Sequence, residues 1–296
     1  SGMDKLSIVT DSEINSFGSW MEQLVAESSG KDGKGIVPVD IEPLGNNKVY
    51  GNDRLFVYMR LSGEHDMYVA RLKRAKHPVI VLNWAQKSDL SAQFYLWEYA
   101  TAVACAAIGV NAFDQPAVQD NKTRTANKIV DYQKNGKLDE GKAVLSLENA
   151  VVYGQEFAGC NQAKSVPEVI ATFLKQVKDG DYIAINAYLP RDPKTLKKLQ
   201  AFRKKLLNNY GKATTLGFGP RFLHSTGQLH KGGADNGVFI QITSDYKDEY
   251  AIPTQELGIG VLERAQALGD LESLLSRSRR AIRIHLKDLS GIDKLF

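Results

Sequence analysis

The sequence has few cysteines, no long apolar run and no large excess of charge of either sign. Its two cysteines, Cys105 and Cys160, have neither the spacing of a metal site nor the number needed for a disulfide framework, which indicates a reducing compartment. The longest apolar run, 100–110, is too short to span a bilayer, and no basic and then apolar leader opens the chain. We therefore expect a cytoplasmic protein with no membrane partner, and we interpret residues 1–3 as an expression-tag scar.

Charge is nearly balanced, because the sequence has 38 Lys and Arg and 34 Asp and Glu, for a formal net charge of +4. A nucleic-acid interface needs a concentrated basic face. The densest candidate is a cluster of four arginines that follows an apolar helical segment: Arg277, Arg279, Arg280 and Arg283. Cations are favoured at a helix C-terminus, so we interpret the cluster as a cap and expect no nucleic-acid partner.

Short β-branched runs alternate with longer segments of helical period, which is the pattern of a parallel sheet covered by helices. With 296 residues, 43% of them hydrophobic, the chain can fill one large α/β domain or two small ones. The stretch 134–165 interrupts the alternation and is predicted to be an insertion. The predicted strands are Leu6–Thr10, Ile36–Val39, Leu55–Arg60, Pro78–Leu82, Tyr182–Ala187, Ala213–Leu216, Val238–Thr243 and Ala281–His285.

One predicted helix, Leu90–Ile108, is apolar nearly all round its circumference. A helix of this composition is typical of a protein interior. We therefore expect it to be buried at the centre of the fold.

A carboxylate beside a glycine-rich turn is the first candidate for proton transfer. Glu27-Ser-Ser-Gly-Lys31 ends the first amphipathic helix, and we expect it on the crevice side of a strand–helix unit. The structural alternative is an exposed Glu followed by a glycine C-cap. The spacing within Gly30–Gly35 does not fit a nucleotide-binding phosphate loop, and Gly258-Ile-Gly260 is interpreted as a helix start.

The segment 111–122 is the second candidate. Asp114 and Pro116 suit the cap and first turn of a helix. That helix would carry Lys122 two turns from its start, and capping alone does not explain this lysine.

The third candidate is the polar, glycine-rich segment 217–233. His224 and Gln228 are four residues apart and are predicted to share one face of a short helix. His224 and His230 lack an acidic or thiol ligand in chelating register, so acid–base chemistry without a metal is favoured over a metal site.

Together these segments resemble motifs of the phosphoglucose isomerase family. The family carries Glu-Ser-Asn-Gly-Lys, Phe-Asp-Gln-x-x-Val-Glu-x-x-Lys and a Gln-His-Ser/Ala segment that ends Gln-Leu-x-His-Gln-Gly. This chain has Glu27-Ser-Ser-Gly-Lys31, Phe113-Asp-Gln-Pro-Ala-Val-Gln-Asp-Asn-Lys122 and His224-Ser-Thr-Gly-Gln-Leu-His-Lys-Gly232. The sequence around His224 is most similar to the isomerase half of bacterial transaldolase/glucose-6-phosphate isomerase fusions, and the resemblance covers about residues 5–286.

The resemblance implies a three-layer αβα sandwich of the sugar-isomerase (SIS) type over residues 4–296, with a mainly parallel, doubly wound sheet. It also implies an isomerase that interconverts glucose 6-phosphate and fructose 6-phosphate without a cofactor or metal. By position, Glu27 would move a proton between C2 and C1 through a cis-enediolate, His224 would serve ring opening and Lys122 would assist at the ring oxygen. Gln115 would reach toward the phosphate. The residues expected to bind substrate are Gln115, Lys31, Arg221, Gln228, Ser28 and Gly30.

Three features depart from the family pattern. The order Glu27, Lys122, His224 differs from the usual Glu, His, Lys, and Gln119 stands where the family has Glu. The family's Ser-Lys-Thr-x-Thr-Thr phosphate loop is not found. We therefore interpret the chain as the second SIS domain of a longer isomerase that also contains a first SIS domain and a transaldolase domain, and we expect it to be weak or inactive alone. The resemblance further implies a homodimer, in which the partner subunit offers the histidine.

Two alternatives remain. The chain could be a sugar-phosphate-binding module without catalysis, which the absent phosphate loop favours and the retained Glu27, Lys122 and His224 oppose. It could instead be an isomerase of another phosphorylated or sulfonated sugar, because the C1–C2 chemistry is shared and the missing loop would set the choice of anion.

Overall fold

The computed structural model describes residues 2–245, 249–253, 255 and 257–295, apart from the side chain of Val118. The chain forms two compact units, each assembled from three separate segments. Unit 1 consists of Ser1–Gln115, Arg203–Thr215 and His224–Asp235, and unit 2 of Pro116–Phe202, Leu216–Leu223 and Asn236–Phe296.

Unit 1 contains a four-stranded, fully parallel sheet with the order β2-β1-β3-β4. Helices cover both faces: α1 and α3 pack on one core cluster, and α2 packs on the other. The elements are β1 (Lys5–Thr10), α1 (Ser16–Ser29), β2 (Val37–Val39), β3 (Arg54–Arg60), α2 (Asp66–Arg74), β4 (Val79–Asn83), α3 (Leu90–Ile108) and α7 (Thr226–Gly232).

The first amphipathic helix is α1, and it ends at Ser29, within the segment predicted to end it. Phe17, Met21 and Val25 of α1 are buried against the sheet, each 4% exposed or less. Gly30 caps the helix, and its N–H donates to Ala26 O. Because α1 connects the end of β1 to the start of the parallel strand β2, it runs antiparallel to both.

The expectation that α3 lies at the centre of the fold is wrong. The helix has the predicted bounds, but it buries only one stripe, formed by Gln93, Trp97, Thr101 and Cys105. Its outer side leaves Tyr95 72% exposed and Tyr99 63% exposed. Apolar composition predicts burial only if other elements cover every face of a helix, and here the sheet covers one.

Unit 2 contains a six-stranded sheet with the order β5-β6-β10-β9-β7-β8. The β7–β9 and β9–β10 pairs are parallel, and the β10–β6 and β6–β5 pairs are antiparallel. Helix α8 packs on the sheet and α4 packs on α8. The elements are α4 (Pro116–Asn135), β5 (Ala143–Ser146), β6 (Ala150–Gly154), α5 (Val166–Phe173), β7 (Tyr182–Tyr188), α6 (Pro193–Tyr210), β8 (Ala213–Phe218), β9 (Gly237–Ser244), α8 (Ile259–Leu275) and β10 (Arg280–Leu286); α6 and β8 each cross the boundary between the units.

The stretch 134–165, predicted as an insertion, contains the hairpin β5–β6, which extends the sheet beside β10. Glu140, just before this hairpin, forms two ion pairs. Its carboxylate lies 2.6 Å from Arg283 Nη2 and 2.9 Å from Arg264 Nη1. The interruption in the α/β alternation is therefore an antiparallel extension of the sheet, anchored by buried arginines.

The arginine cluster has separate structural roles. Arg277 caps α8, because its Nη1 donates to Ser273 O at 3.0 Å. Arg280 and Arg283 belong to β10, and Arg280 pairs with Asp181 at 2.6 Å. The predicted capping role is therefore confirmed for Arg277 and wrong for Arg280 and Arg283.

All eight predicted strands are present, and the mixed α/β class with parallel sheets flanked by helices is confirmed. The strands divide between two sheets, and the hairpin β5–β6 was not predicted. The predicted start of α8 at Gly258 is also confirmed. Within the described residues, no helix combines the length and apolar character needed to cross a membrane. The assignment of residues 4–296 to an SIS domain stays a prediction.

Candidate functional site

The end of α1 and the helix α7 meet through their backbones. A Cβ on Gly30 would lie 2.3 Å from Leu229 Cα, so only glycine allows this approach. Gln228 Nε2 donates to Gly30 O at 2.9 Å, and Gly33 N donates to Gly232 O at 3.0 Å. Two of the segments singled out in the sequence, 27–31 and 224–232, are therefore held together inside unit 1.

Lys31 joins the third segment to these two. Its Nζ donates to Asn111 O and lies 3.2 Å from Asp114 Oδ1, and the residue is 3% exposed. Lys34 Nζ adds a bond of 2.9 Å to Ile108 O, at the end of α3. The turn after α1 is thus fixed to the loop that follows α3. The Lys31 ammonium therefore has a structural role in this turn, and its role in substrate binding stays a prediction.

Glu27 is half-buried near the end of α1, and Gln23 Nε2 donates to its Oε2 at 3.4 Å. The neighbouring Ser28 is also half-buried, and its carbonyl accepts the Sγ–H of Cys105. Because α1 runs antiparallel to the strands, Glu27 lies at the amino edge of the unit 1 sheet. The expectation that Glu27 lies on the crevice side of its own strand–helix unit is therefore wrong.

The prediction that His224 and Gln228 share one face of a short helix is wrong. His224 ends a 3₁₀ turn that starts at Arg221, whereas α7 begins at Thr226. Ser225 lies between them with φ −146° and ψ −94°, outside the helical region. His224 is consequently exposed while Gln228 is 1% exposed. The catalytic and binding roles of these residues stay predictions.

The other predicted site residues are on the surface. Gln115 is exposed at the end of the first segment of unit 1. Lys122 and Arg221 are exposed in unit 2, and Lys122 is the seventh residue of α4. The start of α4 at Pro116 and the position of Lys122 two turns in are confirmed. The functions of Gln115, Lys122 and Arg221 stay predictions.

A site that the sequence analysis missed lies at the carboxyl edge of the unit 1 sheet. Asp11, directly after β1, is 0% exposed. Its Oδ2 accepts the N–H groups of Leu61, Ser62 and Gly63, and its Oδ1 accepts the Tyr58 hydroxyl at 2.6 Å. Burial raises the pKa of the Asp11 carboxyl, but the bonds from Tyr58 and the three amides outweigh this effect and lower the pKa to about 2. The signal in the sequence is an Asp immediately after a β-branched strand.

Asp11 also belongs to the one group of three potential metal ligands found among the described residues, with Glu64 and His65. Their ligand atoms lie within 4.8 Å of one another. Both Asp11 oxygens, however, already accept hydrogen bonds from the protein. We therefore interpret Asp11 as the group that fixes the β3–α2 loop to the end of β1. His224 and His230 belong to no such group in the described part of the chain.

Comparisons with known proteins find no matching family model and no matching curated protein. Among solved structures, a hypothetical protein from Thermus thermophilus is 13% identical; the match covers 99% of this chain and 74% of that chain, with a TM-score of 0.38. The C-terminal domain of glucosamine-fructose-6-phosphate aminotransferase from Francisella tularensis is 9% identical; that match covers 99% of this chain and 80% of that chain, with a TM-score of 0.27. At such TM-scores neither likeness supports an argument about fold or function, and the case for function therefore depends on this chain's own residues.

Proposed function

We propose that this chain supplies acid–base residues to an aldose–ketose isomerase that interconverts glucose 6-phosphate and fructose 6-phosphate. The observation that carries the proposal is the convergence inside unit 1 of segments that are distant in sequence. Bonds from Gln228 and Lys31 join 27–31, 111–114 and 228–232 around one turn. Each of these segments contains part of a motif that resembles the phosphoglucose isomerase family.

In the proposed reaction the Glu27 carboxylate removes the proton from C2 of the open-chain aldose phosphate. The electron pair of that bond forms the C1–C2 double bond of a cis-enediolate. The Glu27 carboxyl group then returns the proton to C1 while a proton moves from O2 to O1, which gives the ketose without a redox partner. A carboxylate held beside the substrate can act as a general base, and Glu27 is half-buried at the end of α1.

His224 is proposed to open the sugar ring by exchanging a proton with the ring oxygen. Imidazole is a common proton-transfer group in enzymes, and His224 is exposed to solvent. The assistance of Lys122 at that oxygen, and the homodimeric, transaldolase-linked parent protein, are parts of the same proposal that come from the resemblance alone.

A coupled assay that converts fructose 6-phosphate to glucose 6-phosphate tests the proposal. The chain is assayed alone and mixed with a separately made first SIS domain. We expect Glu27→Gln to lower kcat by a factor of about 10²–10⁴, because loss of a general base has effects of this size. The matched control is Glu98→Gln, since Glu98 is an exposed helical Glu of the same unit, and its kcat should not change.

Turnover that Glu27→Gln leaves intact would refute the assigned base. Binding of fructose 6-phosphate with no turnover in any mixture, although the two domains associate, would favour the binding module instead. Faster turnover of a different phosphorylated or sulfonated sugar would keep the acid–base chemistry and change the substrate.

A further inference from the structure

In unit 2, the neighbouring strands β7 and β8 are each followed by a loop that carries an arginine. Arg191 lies three positions after Tyr188, the last residue of β7. Arg221 lies three positions after Phe218, the last residue of β8. A proline precedes each arginine in the sequence. Each loop therefore has an arginine at the third position after its strand.

Contacts hold these two loops at the same edge of the sheet. Gly219 N donates to Ala187 O at 2.8 Å, which aligns the residue after β8 with the end of β7. A Cβ on Gly219 would lie 2.4 Å from the Tyr188 ring, and the Phe222 ring packs edge-on against Tyr188 with centroids 5.4 Å apart. The turn that contains Arg221 is thus packed on the strand end from which Arg191 departs.

The charge of Arg191 is not neutralised by its acidic neighbours. Its guanidinium carbon lies 5.9 Å from the centre of the Phe218 ring, and it forms no ion pair within the described part of the chain. The adjacent Asp192 caps α6 instead, because its carboxylate accepts the N–H groups of Lys194 and Thr195. The Asp192 carboxylate is therefore engaged at the start of α6 and does not pair with Arg191.

The position of the two arginines is one where α/β proteins bind ligands. From β7 the chain passes through α6 to β8 on one side, while β9 pairs with β7 on the other side. The carboxyl end of β7 is consequently next to a topological switch point, outside which open sheets bind their ligands. Guanidinium groups are suited to phosphate because they donate two parallel hydrogen bonds to its oxygens.

We infer that Arg191 and Arg221 form an anion site in unit 2 that binds the phosphate group of a sugar phosphate. The sequence analysis placed Arg221 among the substrate-binding residues and did not single out Arg191. The anion class follows from the two guanidinium groups, whereas its identity as a sugar phosphate rests on the proposed function.

The experiment measures binding by the isolated chain, in the absence of turnover, of inorganic phosphate, fructose 6-phosphate and unphosphorylated fructose. We expect both phosphates to bind and fructose not to bind, as followed by calorimetry. Arg191→Gln and Arg221→Gln should each lower the affinity for inorganic phosphate and for fructose 6-phosphate by about tenfold or more. A loss of this size is typical of one charge-assisted hydrogen bond. Arg191→Lys should recover part of the affinity, because a lysine keeps the charge and loses the paired geometry.

Lys197→Gln is the control, since it removes one exposed positive charge from α6 of the same unit. It should bind as the unchanged chain does, and thermal melts should confirm that all variants fold. Failure of the unchanged chain to bind phosphate, or equal affinity in Arg191→Gln and Lys197→Gln, would overturn the site. Equal affinity for inorganic phosphate and fructose 6-phosphate would overturn its assignment to a sugar phosphate. Because no step depends on Glu27, loss of isomerase activity leaves this result unaffected, and the two proposals can fail separately.

Discussion

Asp11 shows how one carboxylate can hold two loops of unit 1 together. Its pKa of about 2 in the folded protein lies below the ordinary value of 3.8, so the folded state binds a proton less tightly than the unfolded state. The stability that this group contributes is therefore complete above about pH 4, and it is lost as the pH falls toward 2. A lowering of almost two pH units corresponds to about 2 kcal/mol.

We predict that Asp11→Asn lowers the free energy of unfolding by about 2 kcal/mol at pH 7, and that the difference from the unchanged protein shrinks as the pH approaches 2. Urea denaturation at pH 7, 4 and 2.5 measures both quantities. Asp32→Asn is the control, because Asp32 is exposed and has φ 53°, a conformation that asparagine tolerates. A difference that stays constant across the series would show that ionisation of Asp11 does not stabilise the fold.

At the residue scale, the sequence indicates chemistry more readily than environment. The motif around Glu27 could be recognised from residue types, yet its place at the amino edge of a sheet depends on the direction of α1. The engagement of Lys31 by Asp114 and the Asn111 carbonyl joins positions about 80 residues apart, which no local pattern encodes. The only sequence signal for Asp11 is its place directly after a β-branched strand, and the loop that folds over it reveals its function in the fold.

Among the elements, α1 and α7 depend on a close approach of their backbones. A side chain at Gly30 would overlap Leu229, whereas a Cβ at Gly33 meets no atom within 4 Å. We predict that Gly30→Ala displaces α7 and costs about 1–3 kcal/mol, as overpacking does. Backbone amide chemical shifts of α7 measure the displacement.

Gly33→Ala is the matched control for this change. Gly33 has φ +71°, so alanine adds local strain in the turn without meeting a neighbouring atom. Its chemical-shift changes should therefore be confined to the turn after α1. Equal perturbation of α7 by both substitutions would contradict the packing explanation.

Secondary structure was largely predictable. Short β-branched runs located eight strands, and a long apolar segment gave the bounds of α3. The hairpin β5–β6 was missed because its short strands lie in a stretch rich in glycine and charge, where an edge hairpin and an irregular insertion have the same pattern. The burial of α3 was also mispredicted. Helical periodicity identifies an apolar face, but on a helix that is apolar all round it cannot show which face meets the sheet.

On the scale of the whole molecule, unit 1 is assembled from segments that are far apart in the sequence. Arg203, 0% exposed, donates through Nη1 to Asp40 O at 2.9 Å, and Thr214 N donates to Glu42 Oε1 at 2.8 Å. These bonds tie 203–215 to the first segment, as α7 is tied to α1. Periodicity gives no information about such pairings, so the division of the strands between two sheets could not be predicted.

This assembly predicts that the chain tolerates a break after Gln115. Co-expressed pieces 1–115 and 116–296 should purify together in a 1:1 ratio, since unit 1 needs residues from both. Glu42→Ala in the first piece should weaken the complex, because it removes the acceptor of Thr214 N, whereas Glu98→Ala on the exposed side of α3 should not. Gel filtration measures co-elution of the two pieces, and densitometry of the eluted fractions on a denaturing gel measures their ratio. Independent elution of the two unchanged pieces would contradict the proposed assembly of unit 1.

The uncovered side of α3 has a consequence for the protein in concentrated solution. Its 19 residues include a single charged one, Glu98, and Tyr95, Tyr99 and Val103 are all more than half exposed. The net charge of +4 on 296 residues supplies little long-range repulsion, and added salt screens what there is. Pairwise attraction between molecules should therefore dominate at moderate ionic strength. Light scattering should give a negative second osmotic virial coefficient, and Tyr95→Lys combined with Tyr99→Lys should make it positive.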